Sequence, residues 1–464
     1  MTMPKPKKQE VAEYLKEAAI VKKYKGEPLQ TWKWAKEMRV NYYQNYAQAH
    51  DKGGLCVTGS AWAFLPVVAG LGDDAYYLAG EPYGASTAFD IPFSTRCMEA
   101  AEAKGWAVDL CGYVRNYVGS VILGEYTFGG AMPKPDVIYQ NHVCCSHAKW
   151  KQIINEYEGG DIPFFCIDCS VGPHEVGPGK EPLKEHRLKY VVDQVLDSLE
   201  ELDKLAQKKW GRRFDDEKFI DAVNNDCNAT SLWAEICCLN QAIPAPIDAK
   251  SMYPYFNLAA VNRHRKEVTD IYKALRDELK DRIARGVAAI PSERFRIFED
   301  AAPPWYFLDV YRQWEEYGCA CVGSHYIFGL VGIWEEDEQG NRLPRKTPEQ
   351  LGITMRTRED AVRVMVDWLL SKPYWKQEYS IAMKNDILIK YLKQWKADFA
   401  VLHYNRGCEM MSQSVPESRL ALLDAGYPVF TYESDMADWR SFDEARIRAR
   451  IDTFVEGLGL KKLT

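Results

Sequence analysis

One pattern of residues occurs twice in this chain, and it restricts the fold more than anything else in the sequence. The first copy opens at Pro135-Asp136, runs through Val137-Ile138-Tyr139, and reaches a polar tip, Gln140-Asn141-His142-Val143-Cys144-Cys145. A helix-like stretch through Lys149-Trp150 follows, and then Ile162-Pro163-Phe164-Phe165-Cys166-Ile167-Asp168. The second copy opens at Ala397-Asp398, runs through Phe399-Ala400-Val401-Leu402, and reaches His403-Tyr404-Asn405-Arg406-Gly407-Cys408. Another helix-like stretch leads to Tyr427-Pro428-Val429-Phe430-Thr431-Tyr432-Glu433-Ser434-Asp435. Strands alternating with helices form parallel α/β units, whose ligands gather at the carboxyl ends of the strands. Cys144 and Cys408 fall at those ends. The expected fold is α/β, a duplicated scaffold holding thiolates over a cleft.

The duplication extends beyond the cysteine units. Leu55-Cys56-Val57-Thr58-Gly59-Ser60 reads as an opening strand, with a short helix from Trp62 to Ala69. Later, Phe295-Arg296-Ile297-Phe298-Glu299-Asp300 is strand-like, Trp305 to Tyr317 helix-like, and Cys319-Ala320-Cys321-Val322-Gly323 strand-like again. Residues 55–180 and 291–464 are therefore expected to form two α/β domains, with a helical domain at 181–290 between them. There Leu188, Val192, Val195, Leu199, Leu202 and Ala206 make one apolar seam, read as internal bundle packing, and Val268, Ile271, Leu275, Leu279 and Ile283 another that ends near Gly286. Residues 1–54 are an N-terminal arm, helical and amphipathic over 9–50, whose aromatics (Trp32, Trp34, Tyr43) pack on the body or on a partner. The charged run Glu335 to Arg342 reads as a solvated loop.

A chain of 464 residues exceeds one core, in keeping with several domains. The net charge of −7 argues against nucleic acid as a partner but leaves room for a polyanionic small molecule such as coenzyme A. No apolar run is long enough for a membrane span, and no apolar signal core follows the basic N-terminus, so a cytoplasmic location is expected. In that setting thirteen cysteines point to metal or redox chemistry rather than disulfides. Cys56, Cys97, Cys227, Cys237 and Cys238 lie in apolar or helical contexts and read as small hydrophobes. There is no P-loop, GxGxxG, HExxH or GxSxG pattern.

Cys111 follows the strand-like run Ala107-Val108-Asp109-Leu110. With Cys144 and Cys408 it gives three cysteines on separate loops, enough to hold a cubane cluster and leave one iron open. Spacing alone does not single out these three. Cys145 competes with Cys144, and Cys166-Ile167-Asp168-Cys169 fits a CxxC redox pattern but lacks the helix that usually follows.

Several segments together resemble the 2-hydroxyacyl-CoA dehydratase / benzoyl-CoA reductase family. They are Cys111-Gly112-Tyr113-Val114-Arg115-Asn116, Asn141-His142-Val143-Cys144 with Lys149-Trp150, Asn405-Arg406-Gly407-Cys408, and the C-terminal run from Tyr427 through Asp435, Asp438, Trp439 and Arg440 to Phe454 and Glu456. The resemblance covers roughly residues 55–464, and its first two segments match the larger cluster-carrying subunit of ATP-dependent benzoyl-CoA reductases best. It implies two Rossmann-like domains, a helical domain, and a [4Fe-4S] cluster on Cys111, Cys144 and Cys408. Cys145, where the family commonly has a polar residue, leaves the second ligand open between Cys144 and Cys145. The resemblance also implies a sister subunit of the same fold, ATP-hydrolysing activator subunits with their own iron–sulfur cluster, a ferredoxin upstream, and an aromatic acyl-CoA substrate.

Under that reading benzoyl-CoA is reduced by two electrons to a cyclohexadiene-carboxyl-CoA. The candidate proton donors are His142, His147 and His325, with His403 near Cys408, because histidine titrates closest to neutrality. Tyr113, Arg115 and Asn116 are close enough to Cys111 to shape the cofactor's surroundings. Three rivals stand beside it: an (R)-2-hydroxyacyl-CoA dehydratase subunit, a non-catalytic electron-relay or assembly subunit, and a plain α/β binding module with buried cysteines.

Overall fold

The computed structural model describes residues 23–169, 181–377, 380–412 and 414–463. Its strands are β1 (Leu55–Gly59), β2 (Ala75–Ala79), β3 (Val137–His142), β4 (Phe164–Asp168), β5 (Phe295–Asp300), β6 (Cys319–Ser324), β7 (Trp334–Glu336), β8 (Arg342–Pro344), β9 (Phe399–Asn405) and β10 (Val429–Ser434). Two four-stranded sheets, parallel throughout, run in the orders β2-β1-β3-β4 and β10-β9-β5-β6. Read from the other edge, the second is β6-β5-β9-β10. The two halves thus share one topology, with the strand order reversing beside β1 and again beside β5. Ligand crevices of open α/β sheets lie at such reversals.

The acidic residue that opens each sequence copy has the same task in both halves. Asp136 Oδ2 accepts the backbone N–H of Cys56 at 2.8 Å, and Asp136 N–H donates to the Cys56 carbonyl. Asp398 Oδ2 accepts the N–H of Arg296 at 2.7 Å, and Asp398 N–H donates to the Arg296 carbonyl. Each carboxylate fastens the start of the third strand of its sheet to the first. The strands β1, β5 and β6 are buried along their whole length, as near-continuous apolar runs should be when helices cover both faces of a parallel sheet.

Four helices lie between the sheets in sequence: Glu181–Trp210, Asp216–Leu239, Ala249–Asn262 and Lys266–Arg285. Asp215 caps the second by accepting the N–H of Lys218, Asp248 caps the third through Ser251, and left-handed Gly286 ends the fourth. The seam of the first packs on helix Arg358–Leu370 of the same chain, so it is internal packing.

Four local expectations change. Residues 9–22 lie outside the described residues, and the N-terminal helix spans Trp32–Ala47. Its Tyr42 and Tyr43 are buried, Tyr42 Oη accepting the N–H of Ala79 and Tyr43 Oη donating to the Pro82 carbonyl, so it is built into the first half. The run Ala107–Leu110 is a turn rather than a strand, with Val108 64% exposed, and it pairs with no strand among the described residues. The helix expected over Trp62–Ala69 shrinks to Pro66–Gly70. The charged run after Trp334 is partly a hairpin, β7 pairing antiparallel with β8. No described helix is long and apolar enough to cross a membrane.

Candidate active site

Cys111, Cys144 and Cys408 line one cavity of about 60 Å³, although they come from three loops of two different halves. Cys144 follows β3 by two residues and caps helix Cys145–Tyr157; Cys408 follows β9 by three; Cys111 caps helix Gly112–Leu123. Tyr113, Trp150, Tyr326 and the methionines Met410, Met411 and Met436 wall the space. Burial, and after it the neighbouring Cys408, push the Cys111 thiol well up. At Cys144 burial again acts upward and is the largest single influence, but the charge and the hydrogen bonds of His147 together outweigh it and lower the thiol.

Two glycines bring the loops of Cys111 and Cys408 together. A Cβ on Gly112 or on Gly407 would collide with the Asp435 carboxylate, and one on Gly407 would also crowd the N–H of Gly112. Only glycine permits that approach. Asp435 is fixed in turn, its Oδ1 accepting the N–H groups of Ala437 at 2.7 Å and Asp438 at 2.9 Å. Arg115, fully buried, donates to the Leu110 carbonyl, to Glu102 Oε1 at 3.1 Å and to Asp438 Oδ2 at 2.8 Å, with Asp435 Oδ2 3.7 Å away.

This donor set fits an iron–sulfur cluster better than a single ion. Among the described residues, the His, Cys, Asp and Glu atoms that gather in threes within 4.8 Å of one another are those of His50, Cys56 and Asp136. The cavity cysteines are spread wider. Thiolates on one tetrahedral zinc stand about 3.8 Å apart, from Zn–S bonds of about 2.3 Å. One buried ring nitrogen of the cavity wall, Trp150 Nε1, has no hydrogen-bond partner among the described residues, and the His147 ring, whose Nε2 meets Glu81, is hydrogen-bonded to the Cys144 thiol. Such groups suit the sulfurs of a cluster, whose potential they tune.

Behind Cys144, His147 Nε2 lies 2.5 Å from Glu81 Oε1, and Glu81 Oε2 accepts the N–H of Ala61 at 2.7 Å. Burial opposes both charges. Even so, the Cys144 and Glu81 charges raise His147 well above its usual range, and His147 lowers Glu81. Glu81, Trp62 and Tyr326 also face a second, larger cavity of about 430 Å³. Its walls are aromatic, with Tyr43, Phe89, Phe128, Tyr253, Phe256 and Trp305.

Of the residues singled out by sequence, Cys111, Cys144, Cys408, Tyr113 and His147 meet at the cavity. Arg115 lies behind it as an anchor. Asn116 faces elsewhere, donating to the Gly84 carbonyl and accepting from Ser94. His142 does not line the cavity: its side chain is 39% exposed, with Nδ1 3.4 Å from Asp168. His325 is wholly buried against the ring of Tyr374, and burial pushes it down to about 4. His403 is likewise pushed down to about 4 and is tied to the Ala302 carbonyl and Ser434 Oγ. Neither is a proton donor suited to neutral pH. Cys166 is exposed on edge strand β4 and Cys169 buried beyond it, away from the cavity. The rival ligand Cys145 opens its helix, and its side chain lies outside the described residues. Glu81, Trp62 and Tyr326 carried no sequence signal; they sit on the turns and helices after β1, β2 and β6, positions that only the strand order brings together.

Residues 88–458 match the family described as 2-hydroxyglutaryl-CoA dehydratase, D-component. The chain is 24% identical to the (R)-phenyllactyl-CoA dehydratase alpha subunit of Clostridium sporogenes, over 78% of this chain and 80% of that protein. It is 25% identical to the (R)-2-hydroxyisocaproyl-CoA dehydratase alpha subunit of Clostridioides difficile, over 80% and 82%. It is 23% identical to a benzoyl-CoA reductase subunit of Thauera aromatica, over 78% and 79%.

Proposed function

This chain belongs to the 2-hydroxyglutaryl-CoA dehydratase D-component family, and from that premise we propose that it is the cluster-carrying subunit of an enzyme that removes water from an (R)-2-hydroxyacyl-CoA with an aromatic acyl group. The observation that carries this reading is the wall shared by two cavities. Trp62, Glu81 and Tyr326 separate the three cysteines from a chamber lined by aromatic rings. Cys111, Cys144 and Cys408 would hold a [4Fe-4S] cluster, which when bound supplies an open iron and a single low-potential electron.

The chain's own residues do the rest. Met410, Met411, Met436 and Tyr113 keep water from the cysteine cavity. Trp150 Nε1 offers a hydrogen bond to the sulfurs, and the His147 ring holds the sulfur of Cys144. Glu81 stands on the shared wall, beside His147, to take a substrate proton and return it. In the net reaction the C2 hydroxyl and one C3 proton leave as water, and the electron that enters is given back. The partners that fit are a sister subunit of the same fold and an ATP-hydrolysing activator with an iron–sulfur cluster, fed by a ferredoxin, because this sequence has no nucleotide-phosphate loop of its own.

A second reading is reduction of benzoyl-CoA to a cyclohexadiene-carboxyl-CoA, in which two electrons and two protons stay in the product. The segment Cys111-Gly112-Tyr113-Val114-Arg115-Asn116 and the likeness to the Thauera aromatica benzoyl-CoA reductase subunit favour it. The two separate when the anaerobically purified protein, with sister subunit and activator, is given (R)-phenyllactyl-CoA or benzoyl-CoA. Formation of cinnamoyl-CoA without net consumption of reductant is expected. Reductant oxidised in proportion to benzoyl-CoA would replace the first reading by the second. Turnover of neither, at full iron content, would leave an electron-relay or assembly subunit.

A further inference from the structure

The larger chamber is not built by the family's shared segment alone. Helix Trp32–Ala47, which precedes the matched residues 88–458, contributes Lys36, Arg39, Val40, Tyr43 and Gln44 to its lining. The chamber has a direction. Trp62, Tyr253, Phe256 and Tyr326 are buried, and with Glu81 they form the end beside the cysteines. Lys36, Val40, Gln44 and Phe89 are exposed, so the mouth lies along the N-terminal helix.

At that mouth stands a cation that has no anion beside it among the described residues. Arg39 is half-buried, its Nε is shielded from solvent with no hydrogen-bond partner, and the neighbour it covers is the ring of Trp32, 5.6 Å away. No carboxylate lies within 4 Å of its guanidinium among the described residues. Burial lowers its basicity, as expected of a charge held from water without a counter-ion. Lys36, one helical turn earlier, adds a second positive charge to the same lining. A guanidinium and an ammonium at the entrance of an apolar chamber match a phosphate.

We propose that Arg39 and Lys36 bind a phosphate of the coenzyme A arm while the acyl group occupies the aromatic end, which makes the N-terminal helix part of the substrate site. The inference rests on the thioester reading above. The acyl end reacts next to Glu81, at the buried wall, so the arm must leave by the mouth. A chamber of about 430 Å³ takes an acyl group and part of the pantetheine chain but not the nucleotide, whose phosphates therefore meet the rim.

The test is binding of coenzyme A and of pantetheine to the full-length protein, wild type against Arg39→Gln and Lys36→Gln. Lys36 is exposed, so its replacement leaves the fold intact. Arg39→Gln is expected to weaken coenzyme A by about tenfold or more and Lys36→Gln by less, both leaving pantetheine unchanged. The dependence of affinity on salt should become shallower in each. Coenzyme A binding that ignores both substitutions overturns this inference and leaves the thioester function standing. A wild-type protein that binds neither compound overturns both. If Arg39→Gln weakens only pantetheine esters of dicarboxylic acids, the guanidinium reads an acyl carboxylate, and the phosphate assignment falls.

Discussion

Arg115 in the first half donates to Asp438 in the second across 2.8 Å, and both side chains are buried. Arg115 begins one turn after Cys111, and Asp438 follows Asp435, against which the loops of Cys111 and Cys408 close. The ion pair therefore fixes the spacing of two cysteines that belong to different sheets. Removing one partner of a buried pair leaves an uncompensated charge, at a cost of about 3–5 kcal/mol. Arg115→Gln should lower unfolding stability by that order in urea titration. It should also lower the iron retained after anaerobic gel filtration. Normal iron with lowered stability would reduce Arg115 to a scaffold residue with no hold on the cysteine loops.

Serine in place of Cys111, Cys144 or Cys408 should each abolish most bound iron and sulfide and the visible absorbance that goes with them. Serine at Cys166 or Cys169 should leave both intact, since neither lines the cavity. A Cys144→Ser protein with full iron would move the second ligand to Cys145.

Stability should rise with pH between about 4 and 6.5, two histidines driving the rise and one glutamate opposing it. His325 and His403 are wholly buried and held down to about 4 in the folded chain, against about 6.5 when unfolded. The unfolded chain binds protons first as pH falls below about 6.5, so each histidine withdraws up to about 3 kcal/mol by pH 4. Glu299 acts in the opposite sense. Burial, offset in part by the Tyr311 and Tyr253 hydroxyls, raises it to about 7. Its stabilisation, present below about 4.5, is lost as pH rises through 7. His325→Phe replaces two unpartnered ring nitrogens by an apolar ring and should flatten the acid limb of urea midpoints measured from pH 4 to 8. Glu299→Gln should make the rise steeper between about pH 4.5 and 7, because it removes a contribution that falls over that range. An acid limb unchanged in His325→Phe would show that another group carries it.

The duplication is legible in the sequence because Asp136 and Asp398, the apolar runs and the cysteines recur in one order, and each feature does the same work in both sheets. The meeting of Cys144 and Cys408 follows from that repeat, since equivalent strand ends face a common crevice. The histidines are not legible in the same way. His142 is only two residues from Cys144, yet β3 ends at His142 and Cys144 already caps the next helix, so the alternation that puts residues two apart on one face does not carry over from one to the other. His142 turns to Asp168 on the edge strand, whereas His147 comes back to the cavity on the first turn of the next helix. The N-terminal helix reads as an arm in the sequence because its role lies in tyrosine hydroxyls on Ala79 and Pro82, contacts that no periodicity announces.

Glu81 joins the two cavities and is the residue on which the proposed proton transfer turns. Glutamine at this position keeps an oxygen for the N–H of Ala61 and keeps the volume, so packing is preserved. It removes the charge that, with Cys144, raises His147, and it cannot accept a proton. Loss of a positioned acid–base group costs roughly 10²–10⁴ in rate. Glu81→Gln should therefore lose turnover of (R)-phenyllactyl-CoA by that factor, while iron content and the affinity for coenzyme A stay within about twofold of wild type. A matching loss of iron would place Glu81 in support of Cys144 instead. Full turnover by this variant would remove Glu81 from the chemistry and leave the shared wall a purely steric divide.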